Sequence, residues 1–270
     1  MKKVLIVTPT SAYKDYCLVD WAKSIGELTY PADLLLLDNT NDDGTHCRML
    51  GKKNYGKRDV NIMYVPPIPT DKDLRHTMCR CNNLGLDFAL NNGYDYMMSI
   101  ESDVFAPIPN AIERLMSFEK EIVGFNYFIS KWHFSTSIVA SRFLIDGKMA
   151  VDYLPDDCLD AFFQMEGSLK KVPNLGLGFV LIDMKVFDKL PCFRVGGVEF
   201  ETQTEDDKIH ADTFFYKDLA MNGIDTWCDT MYTCDHKNIN WLKVWEKESN
   251  ENKNENKNEN KYKNYKKYEE

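Results

Sequence analysis

The sequence contains no uninterrupted apolar run approaching the roughly 20 residues that a membrane-spanning helix needs. Its longest apolar stretches are strand-sized, such as Leu34 to Leu37. The amino terminus has two lysines and four consecutive apolar residues before it turns polar at Thr8, too little for a secretory h-region, so no signal peptide is expected and the expected compartment is cytoplasmic. The eight cysteines include no Cys-x-x-Cys pair and are irregularly spaced, which speaks against a disulfide framework or a zinc site and for reduced thiols. Positive charge is also short: 33 basic residues against 42 acidic ones leave a net charge of −9. That balance opposes unaided tracking along a nucleic-acid backbone but not a local phosphate site bridged by a metal. Finally, no Gly-rich basic loop follows the first apolar run; Thr8-Pro9-Thr10-Ser11 is unsuited to cradling a triphosphate.

With 44% hydrophobic and 13% aromatic residues in 270, the chain can bury a sizeable core. From about residue 246 the composition narrows to Asn, Glu, Lys and Tyr, with Asn-Glu-Asn-Lys repeated three times between Asn250 and Lys261. Such a segment cannot bury a core, so 246–270 is expected to be a disordered tail dispensable for chemistry. The preceding part reads as alternating strands and helices, the pattern of an α/β fold with a mainly parallel central sheet flanked by helices. Val4 to Val7 is a buried first strand, and a helical stretch follows from about Asp15 to Leu28. Leu34 to Leu37 is a second strand, ending in a turn from Asp38 to Thr45 too rich in Asn, Asp and Gly to continue it. A third strand is expected over Asn61 to Val65 and a helix over Asp73 to Leu90, closed by Asn91-Asn92-Gly93. Tyr96 to Ile100 is then a central strand with Glu101-Ser102-Asp103 at its carboxyl end, where such sheets bind ligands.

Two carboxylates one residue apart at a strand end can hold a hard divalent cation through oxygen; a solvated acidic turn is the plain alternative. Between Asp212 and His236 the pattern suggests a short helix closed by Asn222-Gly223, then extended chain, putting an acid at a helix start and an imidazole at a strand end. Each has a structural alternative, Asp212 as an N-cap and His236 as a satisfied histidine. Gly176-Leu177-Gly178 leads into an apolar strand, where glycine lets backbone approach a ligand closely. The aromatic stretch Phe125 to Phe134, with Trp132 and His133, suits either a stacking surface or a core strand with its loop.

Taken in order, these segments resemble the GT-A glycosyltransferases, the family-2-like enzymes with an Asp-x-Asp-type metal motif, over about residues 3 to 240. Val4 to Thr10 is similar to that fold's first strand, and Leu35 to Thr45 to its second strand and nucleotide-base loop. Arg80 to Asn83, Ala89 and Gly93 to Val104 are similar to its helix, strand and metal motif. Asp212, Phe215, Gly223, Trp227, Asp229 and His236 are similar to its acidic helix, following strand and late metal-binding histidine. Two departures stand out: Glu101 replaces the usual first Asp, and Ala211 replaces the Glu of a Glu-Asp pair, with Glu205-Asp206-Asp207 nearby.

The resemblance implies one GT-A domain over 1–245, with a nucleotide-binding half to 104 and an acceptor-side half from 105. It implies sugar transfer from a nucleoside-diphosphate-sugar, UDP-linked by expectation, to an acceptor hydroxyl with inversion. Asp103 and His236, assisted by Glu101, are expected to hold Mn²⁺ or Mg²⁺. Thr8, Thr10, Asp38 and Arg80 are expected at the nucleoside, Gly178 beside the donor sugar, and Asp212 as general base. The acceptor remains open between a glycan, a lipid-linked sugar, a protein, a small molecule and a hydroxymethylated DNA base. A catalytically silent nucleotide-sugar-binding protein and a nucleotidyltransferase are the rival readings.

Overall fold

The computed structural model describes residues 1–71, 74–127, 141–145, 148–152, 168–195 and 211–237. Met1–His236 forms one compact unit, and Lys237–Glu270 a second of which only Lys237 is described. The expected tail, the Glu205-Asp206-Asp207 cluster and Trp132 with His133 all lie outside the described residues.

The first half follows the apolar pattern. Strands β1 (Val4–Thr10), β2 (Asp33–Asp38), β3 (Val60–Tyr64) and β4 (Tyr96–Ile100) alternate with helices α1 (Leu18–Glu27), α2 (Thr45–Leu50) and α3 (Leu74–Asn91). β1 and β2 are buried at nearly every position, as expected of parallel strands covered on both faces. Within α1, Leu18, Trp21, Ala22 and Ile25 recur at helical spacing and form its buried side. α1 begins three residues later than the pattern alone suggests, because a 3-10 turn, Ala12–Lys14, comes first. Lys14 and the following Asp15 are held there by partners distant in sequence, described below.

The second half comprises β5 (Val104–Phe105), α4 (Ala111–Ser117), β6 (Ile122–Tyr127), β9 (Leu169–Val172), β10 (Phe179–Asp183), helix α5 (Ala211–Met221) and β11 (Thr226–His236). β7 (Ser141–Ile145) and β8 (Lys148–Asp152) form a separate antiparallel pair. The nine-stranded sheet has the order β3-β2-β1-β4-β10-β6-β11-β5, with β9 paired to β11. β3, β2, β1, β4, β6 and β11 share one direction, whereas β10, β5 and β9 run against it. The reversal at β10 is not contained in the apolar pattern, since a buried strand reads the same in either direction. One apolar layer, with Trp21 and Phe125 at its centre, covers one face, and a second, with Phe215 and Leu219 of α5, covers the other.

Candidate metal and nucleotide site

The segment after β4 is held as a tight turn. Val104 donates its N–H to the Glu101 carbonyl at 3.0 Å, the Trp21 indole donates to the same carbonyl at 3.0 Å, and Glu101 N–H donates to the Gly178 carbonyl at 3.0 Å. A buried tryptophan from α1 and a backbone carbonyl from the approach to β10 therefore fix the acidic triplet in place. β11 supplies the third member of the cluster. Its eleven residues run beside β6, shift register between Asp229 and Thr233, and then pair with β5 so that His236 lies opposite Val104. One ligand atom each of Glu101, Asp103 and His236 then lies within 4.8 Å of the others, with His236 Nε2 3.4 Å from Asp103 Oδ2.

Electrostatics within this cluster are strongly polarised. Burial, with the Asp103 charge beside it, pushes the Glu101 carboxyl up to about 7. Burial acts in the same direction on Asp103, but His236 and Lys14 outweigh it and hold that carboxyl below its ordinary value. The Lys14 ammonium pairs directly with Asp103 Oδ2, and the Tyr16 hydroxyl approaches the same oxygen at 3.4 Å. Asp103 Oδ1 is buried with no partner among the described residues. Two carboxylates and an imidazole, one oxygen unsatisfied and another already neutralised by a cation, make a donor set that fits a divalent metal such as Mn²⁺ or Mg²⁺. Tyr127, at the end of β6, braces it: its ring stands edge-on to His236 at 5.3 Å, and its hydroxyl accepts the Gly178 N–H at 3.2 Å. Burial, then the charges of Glu101 and Asp212, push that hydroxyl far above the usual phenol range.

Asp212 lies in the first turn of α5, half-buried, close enough for its charge to raise both Glu101 and Tyr127. It sits inside the helix rather than before it, so it is not an N-cap. Thr8, Thr10 and Asp38 line the carboxyl ends of β1 and β2, with Thr10 in register with Asp38. Thr8 Oγ1, Thr10 Oγ1 and Asp38 Oδ2 are buried without partners among the described residues, a cost that a bound ligand's polar groups can relieve. Arg80, on α3, is engaged: it donates to the Pro66 carbonyl at 2.7 Å and to Asp71 at 2.7 Å, closing the loop before its helix. It adjoins the same region through the next residue on its helix, Cys81, whose buried thiol feels both Asn39 and Asp38. At Gly178 a Cβ would meet the Tyr127 ring and hydroxyl at 2.6 to 2.7 Å, so Tyr127 packing already requires glycine there. Sequence reasoning missed Lys14 and His46, and it marked Tyr127 only as part of the aromatic stretch Phe125 to Phe134. Their signal is tertiary, except that His46 follows a dense run of Asp and Thr.

No family model matches the chain, and no curated protein matches it. Among solved structures it is similar to a mannosyltransferase, PcManGT from Pyrobaculum calidifontis, solved in complex with GDP-Man and Mn²⁺. The identity is 13% over 86% of this chain, with a TM-score of 0.54, and the chain spans 56% of that protein's length. A second similar structure is A197 from STIV, 12% identical over 88% of this chain and 86% of that one, with a TM-score of 0.42. No helix among the described residues is long and apolar enough to cross a membrane. The chain therefore has a mixed α/β, glycosyltransferase-type Rossmann-like fold, with a curled, mostly parallel central sheet flanked by helices.

Proposed function

We propose that the chain is a metal-dependent glycosyltransferase that moves a sugar from a nucleoside-diphosphate-sugar to an acceptor hydroxyl, inverting the anomeric centre. The observation that carries this reading is the convergence of Glu101, Asp103 and His236, 135 positions apart at the extremes, on the sheet edge that also holds the unpartnered Thr8, Thr10 and Asp38 oxygens. Asp103 and His236 would hold the cation, Mn²⁺ or Mg²⁺, with Glu101 assisting directly or through water. When bound, the cation supplies positive charge against the negative charge growing on the leaving diphosphate. Thr8, Thr10, Asp38 and Arg80 receive the nucleoside, and the Gly178 backbone flanks the sugar. Asp212 accepts the proton of the attacking hydroxyl as its oxygen bonds to the anomeric carbon from the face opposite the diphosphate. The GDP-Man and Mn²⁺ bound by the mannosyltransferase neighbour support a nucleotide-sugar donor and a metal; UDP-linked donors are the other class to test.

Asp103→Asn tests the reading. Wild type is expected to gain thermal stability from GDP or UDP only with Mn²⁺, and the variant to fold normally by circular dichroism while losing that gain. Unchanged calorimetric binding of nucleoside diphosphate plus Mn²⁺ to the variant overturns the metal assignment.

A further inference from the structure

Beside the metal set, Asp38 of the nucleoside site belongs to a second group of titratable side chains whose other members, His46 and Asp15, have no part in the chemistry above. His46, in the first turn of α2, is 5% exposed. Its Nδ1 is 2.9 Å from Asp38 Oδ1 and its Nε2 2.9 Å from Asp15 Oδ1. A neutral imidazole has one N–H and would turn a lone pair on one of these oxygens; only the imidazolium donates to both. Asp38 Oδ1 also accepts the Thr40 hydroxyl at 2.6 Å and the Thr40 N–H at 3.1 Å, so its acceptor capacity is committed, and the same Thr40 oxygen lies 3.0 Å from His46 Nδ1, where it can share the imidazolium's N–H. Asp38 Oδ2 is the oxygen left without a partner. The clamp also joins two loops, because Asp15 follows the 3-10 turn after β1 and its neighbour Lys14 pairs with Asp103.

We propose that His46, as an imidazolium held between Asp38 and Asp15, is a positioning residue for nucleotide recognition: it fixes Asp38 so that Oδ2 stays available to an N–H of the donor's base, and nucleoside affinity falls when the ring loses its proton. This rests on the nucleotide-donor reading of the same site. The charges facing the ring are Asp38 from β2 and Asp15 from the turn after β1. Around them, Asp42 accepts the His46 backbone N–H, Arg48 is turned to Asp43 and Thr45, the Cys47 thiol is raised by burial and by the charge of Asp38, and Arg80 is paired with Asp71. Burial alone would lower the histidine's hold on its proton, but the hydrogen bonds and charges of Asp38 and Asp15 outweigh it and raise its pKa above the ordinary value of 6.5. The clamp is therefore complete below that ordinary value and is lost as pH rises through the raised one.

The test compares nucleoside diphosphate with inorganic pyrophosphate, each with Mn²⁺, by calorimetry across pH. Pyrophosphate reports the metal end alone. His46→Gln is expected to bind GDP and UDP on the order of tenfold more weakly, with pyrophosphate affinity unchanged. Wild-type nucleotide affinity, relative to pyrophosphate, is expected to fall at alkaline pH, a fall absent from His46→Gln. A merely structural histidine would shift melting temperature without that split. Should His46→Gln fail to fold, Asp15→Asn replaces it: with one carboxylate gone, the pH at which nucleotide affinity falls should move down. Equal nucleotide affinity in wild type and His46→Gln at every pH, or an unmoved profile in Asp15→Asn, overturns the proposal alone. Wild type that binds pyrophosphate and nucleotide equally, or neither, sinks the donor reading and the proposal with it.

Discussion

At the scale of single residues, Asp212 separates chemistry from architecture. Its place in the first turn of α5 puts a carboxylate where the helix N-terminus attracts negative charge, which by itself stabilises a helix by about 0.3–1 kcal/mol. If that were its whole role, Asp212→Asn would cost that much stability and leave turnover near normal. As the general base, the same change is expected to lower kcat by on the order of 10²-fold or more with donor and metal binding nearly unaltered. Single-turnover kinetics with the best donor decides between these. NMR of the product adds an independent check, since retention at the anomeric carbon is incompatible with one displacement assisted by Asp212. Glu101, Asp103 and His236 stood out in the sequence as acids and a histidine at element ends, and the structure brings them together, whereas a role for Asp212 as base came from the resemblance to GT-A enzymes. Lys14 was not readable, and Tyr127 was visible only as one member of an aromatic stretch: a lysine in a turn and a tyrosine closing an apolar strand look ordinary until Asp103 and His236 are beside them.

At the scale of elements, the reversed strand β10 does most to build the site, since it lies between β4 and β6 and its approach supplies the Gly178 carbonyl that holds Glu101. Its fit against β6 depends on Gly124. A Cβ there would come within 2.5 Å of the Phe179 carbonyl oxygen and 2.7 Å of a Leu175 methyl, and the first is backbone that cannot turn aside. Gly124→Ala is therefore expected to part β6 from β10, destabilising the protein by about 1–3 kcal/mol and weakening Mn²⁺ binding through the displaced Glu101 turn. Urea denaturation and metal titration would measure both; a midpoint within error of wild type would show that the strands accommodate the methyl. The first four strands were legible as apolar runs and α3 as a periodic segment with its Asn-Asn-Gly stop, whereas β5, β7, β8 and β9 were not read from the sequence. The reversal of β10 was not legible, because a strand buried at nearly every position reads the same in either direction, and the short helix α2 was hidden behind the Asn, Asp and Gly of the preceding turn.

At the scale of the whole molecule, the acidic balance is locally concentrated where Glu101, Asp103 and Asp212 share one region, and this gives the metal-free protein a pH dependence. Glu101 holds its proton up to about 7 against an ordinary value of 4.5, so its folded-state pKa is raised. Its stabilising contribution is complete below the unfolded value and is lost as pH rises through about 7. A cation competes with that proton, so Mn²⁺ should raise Tm more at about pH 8 than at about pH 6, and Glu101→Gln should flatten the dependence. Differential scanning fluorimetry across this range would reveal a constant Mn²⁺ increment if the reading is wrong. By itself, the sequence determined the α/β class, the positions of the first four strands and the presence of acids at a strand end, because apolar periodicity and turn chemistry act over a few residues. Tertiary structure alone decided that β11 shifts register to carry His236 to Asp103, that Lys14 neutralises this carboxylate, and that His46 bridges Asp38 and Asp15. Those contacts depend on strand order and register, which are set by the packing of the whole sheet and leave no trace in local composition.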